Sequence, residues 1–262
     1  MYSFDYERPS GMSDATGSVG EDDKFLAGGQ SLLPTLKLRL AQVDKLIDLS
    51  AIDDLKGISV TDSEVTIGAM TIHADVATSA DIRSAIPALA DLASNIGDAQ
   101  VRNRGTIGGS VANNDPAADY PAALLALNAT VHTNNRSIPA ETFFVDLFET
   151  ALEEDELVVK VTFPIPQKAA YVKFPNPASR FALVGVFVAN GAGGPRVAVT
   201  GAGPCVFRQG DMEAALDSNF AGSAVSGVKT ETSGLNSDIH ASAEYRAHLI
   251  SVMAARAVNA AS

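Results

Sequence analysis

Two short stretches could do chemistry through backbone rather than side chains: Ala27-Gly28-Gly29-Gln30-Ser31 and Thr106-Ile107-Gly108-Gly109-Ser110. Each sets a glycine pair between an apolar residue and a small polar one, and each runs into a segment that reads as helix. Paired glycines permit positive φ and close approach of the chain to a ligand. Consecutive N–H groups can then converge on one anion, and a helix N-terminus behind them adds about half an elementary positive charge. Two such turns facing each other would hold a diphosphate without lysines. Either turn alone reads better as a tight strand-to-helix connection. The pair, with Asn113-Asn114-Asp115-Pro116-Ala117-Ala118-Asp119 attached to the second, favours the anion site.

Other chemistries lack their residues. The sequence has no CxxC, HExxH, GxSxG or Walker A pattern; in "GGQSLLP" Leu33 stands where a nucleophile elbow needs glycine. "GAGGPR" and "GAGPCV" put Arg196 and Val206 at the third glycine of GxGxxG and lead into strands, so they read as hairpin turns. The four histidines, His73, His132, His240 and His248, show no metal-ligand spacing, and His73 is expected at a helix start as a cap or surface residue. The carboxylate runs Asp22-Asp23, Asp53-Asp54 and Glu153 to Glu156 fall in polar connections and read as solvated loops. The single cysteine, Cys205, excludes an internal disulfide and a multi-thiolate metal site, so any redox centre is a bound organic cofactor.

The elements that must position the two turns follow from periodicity. Lys24 to Ala27 reads as a strand, Leu32 to Leu40 as a helix and "KLIDLS" as a second strand. "GISVTDSEVTIGAM" alternates like a half-buried hairpin. Residues 71–97 carry helical spacing at Ile72, Val76, Ile82, Ile86, Leu89 and Leu92, divided at Pro87. Asn114 or Asp115 is the expected N-cap of the next helix, with Pro116 in its first position. "ATVHT" and "SIPA" read as strands, and "ELVVKVTFPIP" as a buried strand stopped by prolines. A domain boundary is expected near residue 166, with parts of about 1–55 and 56–166 before it. Beyond it, 167–262 reads as three or four strands and then helices, the best of them "SAEYRAHLISVMAARAVNAA".

At 262 residues and 46% apolar content the chain can bury a large core. A net charge of -12 repels nucleic acid and anionic membrane surfaces. "MYSFDYERPS" fits neither a signal nor a transit peptide, and no run approaches the roughly 18 apolar residues of a membrane span, so a cytoplasmic protein is expected.

"LAGGQSLLP", followed 77 residues on (Gly28 to Gly105) by "GTIGGSVANNDPAAD", resembles the FAD-binding medium subunit of the molybdenum hydroxylases. That family includes bacterial carbon monoxide dehydrogenase and the flavin domain of xanthine dehydrogenase. The resemblance extends through "FDYERP", "LIDLSAIDDLKGI", "IGAMTIHADV", "VRNRGTIGG", "ELVVKVTFPIP" and "SAEYRAHLISVMAARAV". It implies an α+β chain: a two-part FAD-binding domain of the PCMH (vanillyl-alcohol oxidase) type, then a C-terminal α/β domain with a small antiparallel sheet and helices covering the flavin.

Carried over by position, Phe25, Leu26, Ala27, Gly28, Gly29, Gln30 and Ser31 wrap the diphosphate from one side, and Thr106, Ile107, Gly108, Gly109 and Ser110 from the other. Ile96 packs toward the ring system, Asp119 stands where the family has a carboxylate contacting the cofactor, and Lys173 where it has a lysine near the flavin. FAD is expected to be noncovalent, since His73, His132 and Cys205 lie outside both loops. The resemblance further implies an oxidoreductase subunit that takes electrons from iron–sulfur clusters on a small partner and passes them to an external acceptor. A large partner holds the molybdenum cofactor, the assembly being a dimer of heterotrimers, and no side chain of this subunit acts on the organic substrate. A free-standing PCMH-type oxidase or reductase is the alternative, and it would require a proton donor over the flavin. A departure from the family follows "KFPNPASR": Phe181-Ala182-Leu183 stand where a charged or polar residue is usual.

Overall fold

A computed structural model describes residues 1–17 and 19–261. The chain begins with a parallel three-stranded sheet of β1 (Asp5–Glu7), β2 (Lys24–Leu26) and β3 (Lys45–Asp48), in the order β1-β3-β2. Parallel neighbours need a crossover. Here the helix Leu32–Lys37 supplies it, starting directly after the first glycine turn. This helix stops short of the expected Leu40, because Arg39 turns left-handed at φ 57°, leaving Leu38 and Leu40 exposed.

β4 (Ile58–Val60) and β5 (Glu64–Gly68) form the expected hairpin. They continue into an antiparallel sheet with β6 (Thr130–Thr133) and β7 (Ser137–Pro139). A small hairpin, β8 (Phe144–Asp146) and β9 (Glu149–Thr150), precedes β10 (Val158–Pro164), which completes the larger sheet in the order β4-β5-β10-β6-β7. Val161 and Phe163 of β10 point into the core while Lys160 and Pro164 face out, the period-two pattern of a sheet with one buried face.

Residues 73–94 form three helices, not two: His73–Thr78, Ala80–Ala85 and Pro87–Ser94. Pro87 makes one break. Ser79 makes the other, its hydroxyl accepting from the Ile82 N–H as an N-cap. Val76, Ile82, Ile86, Leu89 and Leu92 are all buried, as their spacing predicts.

The C-terminal sheet is a meander of β11 (Lys168–Pro175), β12 (Ala182–Gly191), β13 (Gly194–Thr200) and β14 (Phe207–Arg208). β12 is buried on both faces, which explains its unbroken apolar run. Val184, Val186 and Val188 pack with Ile250 and Met253 of the helix Ala243–Ala260. Phe187 and Ala189 join the large core that contains Tyr120 and Leu124. Each fully buried Val, Leu, Ile or Phe contributes about 1.5–3 kcal/mol relative to exposure. Among the described residues no helix is long and apolar enough to cross a membrane.

Candidate functional site

A cavity of about 710 Å³ opens between the parallel sheet, the segment 96–119 and the loop before β12. That is within the roughly 300–1,000 Å³ of small-molecule sites. Phe25, Ala27, Gly28, Gly29, Gln30, Ser31, Ile96, Thr106, Gly108, Gly109, Ser110 and Asp119 all line it. Three predicted residues do not. Leu26 packs beside Leu36 and Leu46, Ile107 is wholly buried in the main core, and Lys173 stands behind Asp119.

The first glycine turn is an open cradle. Gly29 sits at φ 72°, and the loop rests directly on the chain leading into the second turn. A Cβ on Gly28 would be driven into the Arg104 carbonyl oxygen and would lie 2.8 Å from Gly105 Cα. Among the described residues no acceptor engages the N–H groups of Gly28, Gly29, Gln30 or Ser31. Four consecutive donors at the cavity wall are what an anion requires; the helix start behind them leaves its first amides open in the same direction.

The second turn differs from expectation. Its glycines lie inside the first turn of the helix Ile107–Asn113, with Thr106 as N-cap accepting from Gly109 N–H at 3.1 Å. Ile107 N–H donates to Thr71 O, Gly108 N–H to Ala69 O and Ser110 N–H to Thr106 O. These amides are already used, so the stretch offers no second set of free donors. Its glycines serve close packing instead: a Cβ on Gly108 would stand 2.5 Å from Ala69 Cβ, and one on Gly109 3.4 Å from Ala27 Cβ. The two turns therefore touch, one giving donors and the other a smooth wall.

The next helix is Tyr120–Ala126, not one starting at Pro116. Asn114 instead ends the preceding helix in the left-handed conformation, and Asp115 holds a turn by accepting from Ala117 N–H at 2.8 Å. This shift places Asp119 at the N-cap position, 4% exposed and lining the cavity. Lys173 Nζ lies 3.0 Å from it and also donates to Asn95 O, and the Tyr171 hydroxyl donates to the same carboxylate. Burial pushes the Asp119 carboxyl up; Lys173 and Tyr171 pull it partly back. Gly185 makes room for this, since a Cβ there would collide with the Tyr171 hydroxyl.

His73 is neither cap nor surface residue. It lines the cavity at 4% exposure, its ring 5.4 Å from that of Tyr120. Its backbone N–H donates to Gly105 O, which ties it to the second turn. Burial, and secondarily the charge of Arg102, lower its pKa to about 4. The unfolded chain binds this proton below about 6.5 and the folded chain only below about 4. Stability is therefore lost as pH falls across that window, by about 3 kcal/mol in all. Urea unfolding of the wild type and His73→Gln at pH 7, 5.5 and 4 should show the variant lacking that part of the decline.

Sequence reasoning also missed Asn113, Asp115, Arg180 and Phe181 as lining residues. The last two belong to a loop organised by Asn176, whose side chain accepts from Ala178 and Ser179 N–H, with Arg180 left-handed at φ 63°. The departure from pattern at Phe181 was the available signal. Around the cavity Asp98, Asp115, Asp119 and Glu156 outnumber Lys24 and Arg180, so an anion there depends on the amides of the first turn.

The sequence profile of the FAD binding domain in molybdopterin dehydrogenase matches residues 2–166. The chain is 35% identical to the carbon monoxide dehydrogenase medium chain of Hydrogenophaga pseudoflava, over 98% of this chain and 96% of that one. It is 34% identical to the nicotine 6-hydroxylase medium subunit of Paenarthrobacter nicotinovorans, over 97% and 95%. Its fold superposes on a solved carbon monoxide dehydrogenase from H. pseudoflava, lacking the Mo-pyranopterin moiety of the molybdenum cofactor, with a TM-score of 0.87, 36% identity and coverage of 98% and 96%. An open amide cradle on a glycine turn, a second glycine turn packed against it and near full-length likeness to medium chains agree: this α+β chain belongs to the FAD-binding medium-subunit family of the molybdenum hydroxylases, which are oxidoreductases.

Proposed function

We propose that this chain binds FAD noncovalently and serves as the electron-transfer subunit of a cytoplasmic molybdenum hydroxylase complex. The observation that carries the reading is the run of four unengaged amides, Gly28 to Ser31, on the wall of a cavity of matching size. These donors hold the diphosphate. Thr106, Gly108, Gly109 and Ser110 form the adjoining wall, and Ile96, Asp119 and, through Asp119, Lys173 border the ring system. When bound, the flavin supplies two-electron storage between an iron–sulfur donor and an external acceptor. The chain's own residues orient it, exclude water from one face and fix the charge beside it. The partners in this reading are a large molybdenum-cofactor chain and a small iron–sulfur chain, two such heterotrimers pairing. We place the boundary between the FAD-binding part and the C-terminal part near residue 166.

A free-standing oxidase would need a proton donor over the ring. His73 is neutral above pH about 4, and the Asp119 carboxylate is engaged by Lys173 and Tyr171, so neither is a free acid over the ring, which supports electron transfer. The purified chain should show a flavin absorption spectrum, and heat or acid should release its FAD intact. In the assembled complex the partner's organic substrate should bleach both the clusters and this flavin. Clusters that reduce while the flavin stays oxidised would refute the electron-transfer role.

A further inference from the structure

The hairpin β8–β9 projects three apolar side chains into solvent. Val145 is 53% exposed, Leu147 52% and Phe148 58%. Phe148 moreover adopts φ 54°, a conformation that bulky side chains rarely take. Strained backbone of this kind persists where the surroundings fix it and concentrates at functional positions.

The surroundings do fix it. Asn114, 1% exposed, donates its side-chain amide to Asp146 O at 2.8 Å and to Glu149 O at 2.7 Å, gripping both strands. Its backbone carbonyl accepts from Phe148 N–H. Its neighbours Asn113 and Asp115 line the cavity. The apolar tip is thus a rigid knob one residue removed from the cavity wall. Its rim is mainly acidic: between residues 145 and 155 the chain carries Asp146, Glu149, Glu153, Glu154 and Asp155, with Arg136 beside them paired to Glu153 at 3.6 Å. A preorganised apolar patch with an aromatic residue at its centre and a polar rim has the anatomy of an interface core.

From this geometry we infer that the Val145–Leu147–Phe148 knob docks the small iron–sulfur partner, in an apolar socket rimmed by lysines and arginines. The inference rests on the electron-transfer reading, in which the iron–sulfur chain is the one that must approach the cavity closely. The exposed Leu38 and Leu40 are a poorer choice, since they lie at the far end of the helix that leads away from the first glycine turn.

The test uses the whole complex, co-expressed and purified. Leu147→Asp/Phe148→Asp should cut retention of the iron–sulfur chain at least tenfold on gel filtration, while FAD per copy of this chain stays at the wild-type value. A photocrosslinking residue, p-benzoylphenylalanine, in place of Phe148 should attach to the iron–sulfur chain, and raised salt should lower the yield. Crosslinking to the large chain or to a second copy of this chain would overturn the assignment. So would an iron–sulfur chain held as tightly by the double variant as by the wild type. If the wild-type chain binds FAD but assembles with no iron–sulfur chain, the electron-transfer reading itself fails.

Discussion

Gly28→Ala should purify without flavin colour and should bind added FAD at least 100-fold more weakly than the wild type. The added methyl would meet the Arg104 carbonyl and Gly105 Cα, both backbone, so no side-chain rotation relieves it. Moving residues 104–105 would break the His73 N–H to Gly105 O bond and the bridge between Ile72 and Thr106, which set the second turn. Overpacking of a tight site costs about 1–3 kcal/mol. If the first turn shifts instead, its four amides leave their common target, and a 100-fold loss corresponds to about 2.7 kcal/mol. Gly210→Ala is the matched control, since a Cβ there meets nothing within 4 Å. Titration calorimetry with FAD on both variants decides the matter. Equal affinity would place the diphosphate elsewhere.

Asp119→Ala should cost about 3–5 kcal/mol, the range for removing one member of a buried ion pair, and should lower the melting temperature by on the order of 10 °C. Lys173 is 7% exposed in its side chain, and without Asp119 it would keep only Asn95 O from its present partners. The Tyr171 hydroxyl would lose its acceptor as well. Asp119→Ala/Lys173→Met removes the stranded charge and should regain most of the stability without regaining full FAD affinity. A double-mutant cycle in urea separates the two effects. A single variant as stable as the double would mean that the pair is not buried as described.

Much of this was legible in residue types. Gly28 and Gly29 mark a turn where only glycine fits, the first packed against Arg104 and Gly105 and the second at φ 72°, and the even spacing of Val65, Ile67, Val161 and Phe163 marks the faces of a half-buried sheet. What could not be read depends on distant partners. The Gly108 N–H is spent on Ala69 O, a bond set by how β5 ends against a later helix. His73 is buried because the helix Tyr120–Ala126 arrives beside it, long after it in sequence. Asn114 passed for a helix start, since local rules favour asparagine at both helix ends; its left-handed conformation settles it as the end. Leu26 and Ile107 show the converse limit: their neighbours in sequence reach the cavity while strand alternation or helix periodicity turns them away.

β12 is pressed on both sides, by the long C-terminal helix on one and by the core around Tyr120 on the other. A gene cut at residue 166 would bare the flank of the helix Tyr120–Ala126 and leave an insoluble fragment. Chimeras between relatives must accordingly carry that flank and Phe187, Ala189 and Ala198 as one inherited block. The recombination seam of the molecule does not coincide with its linker.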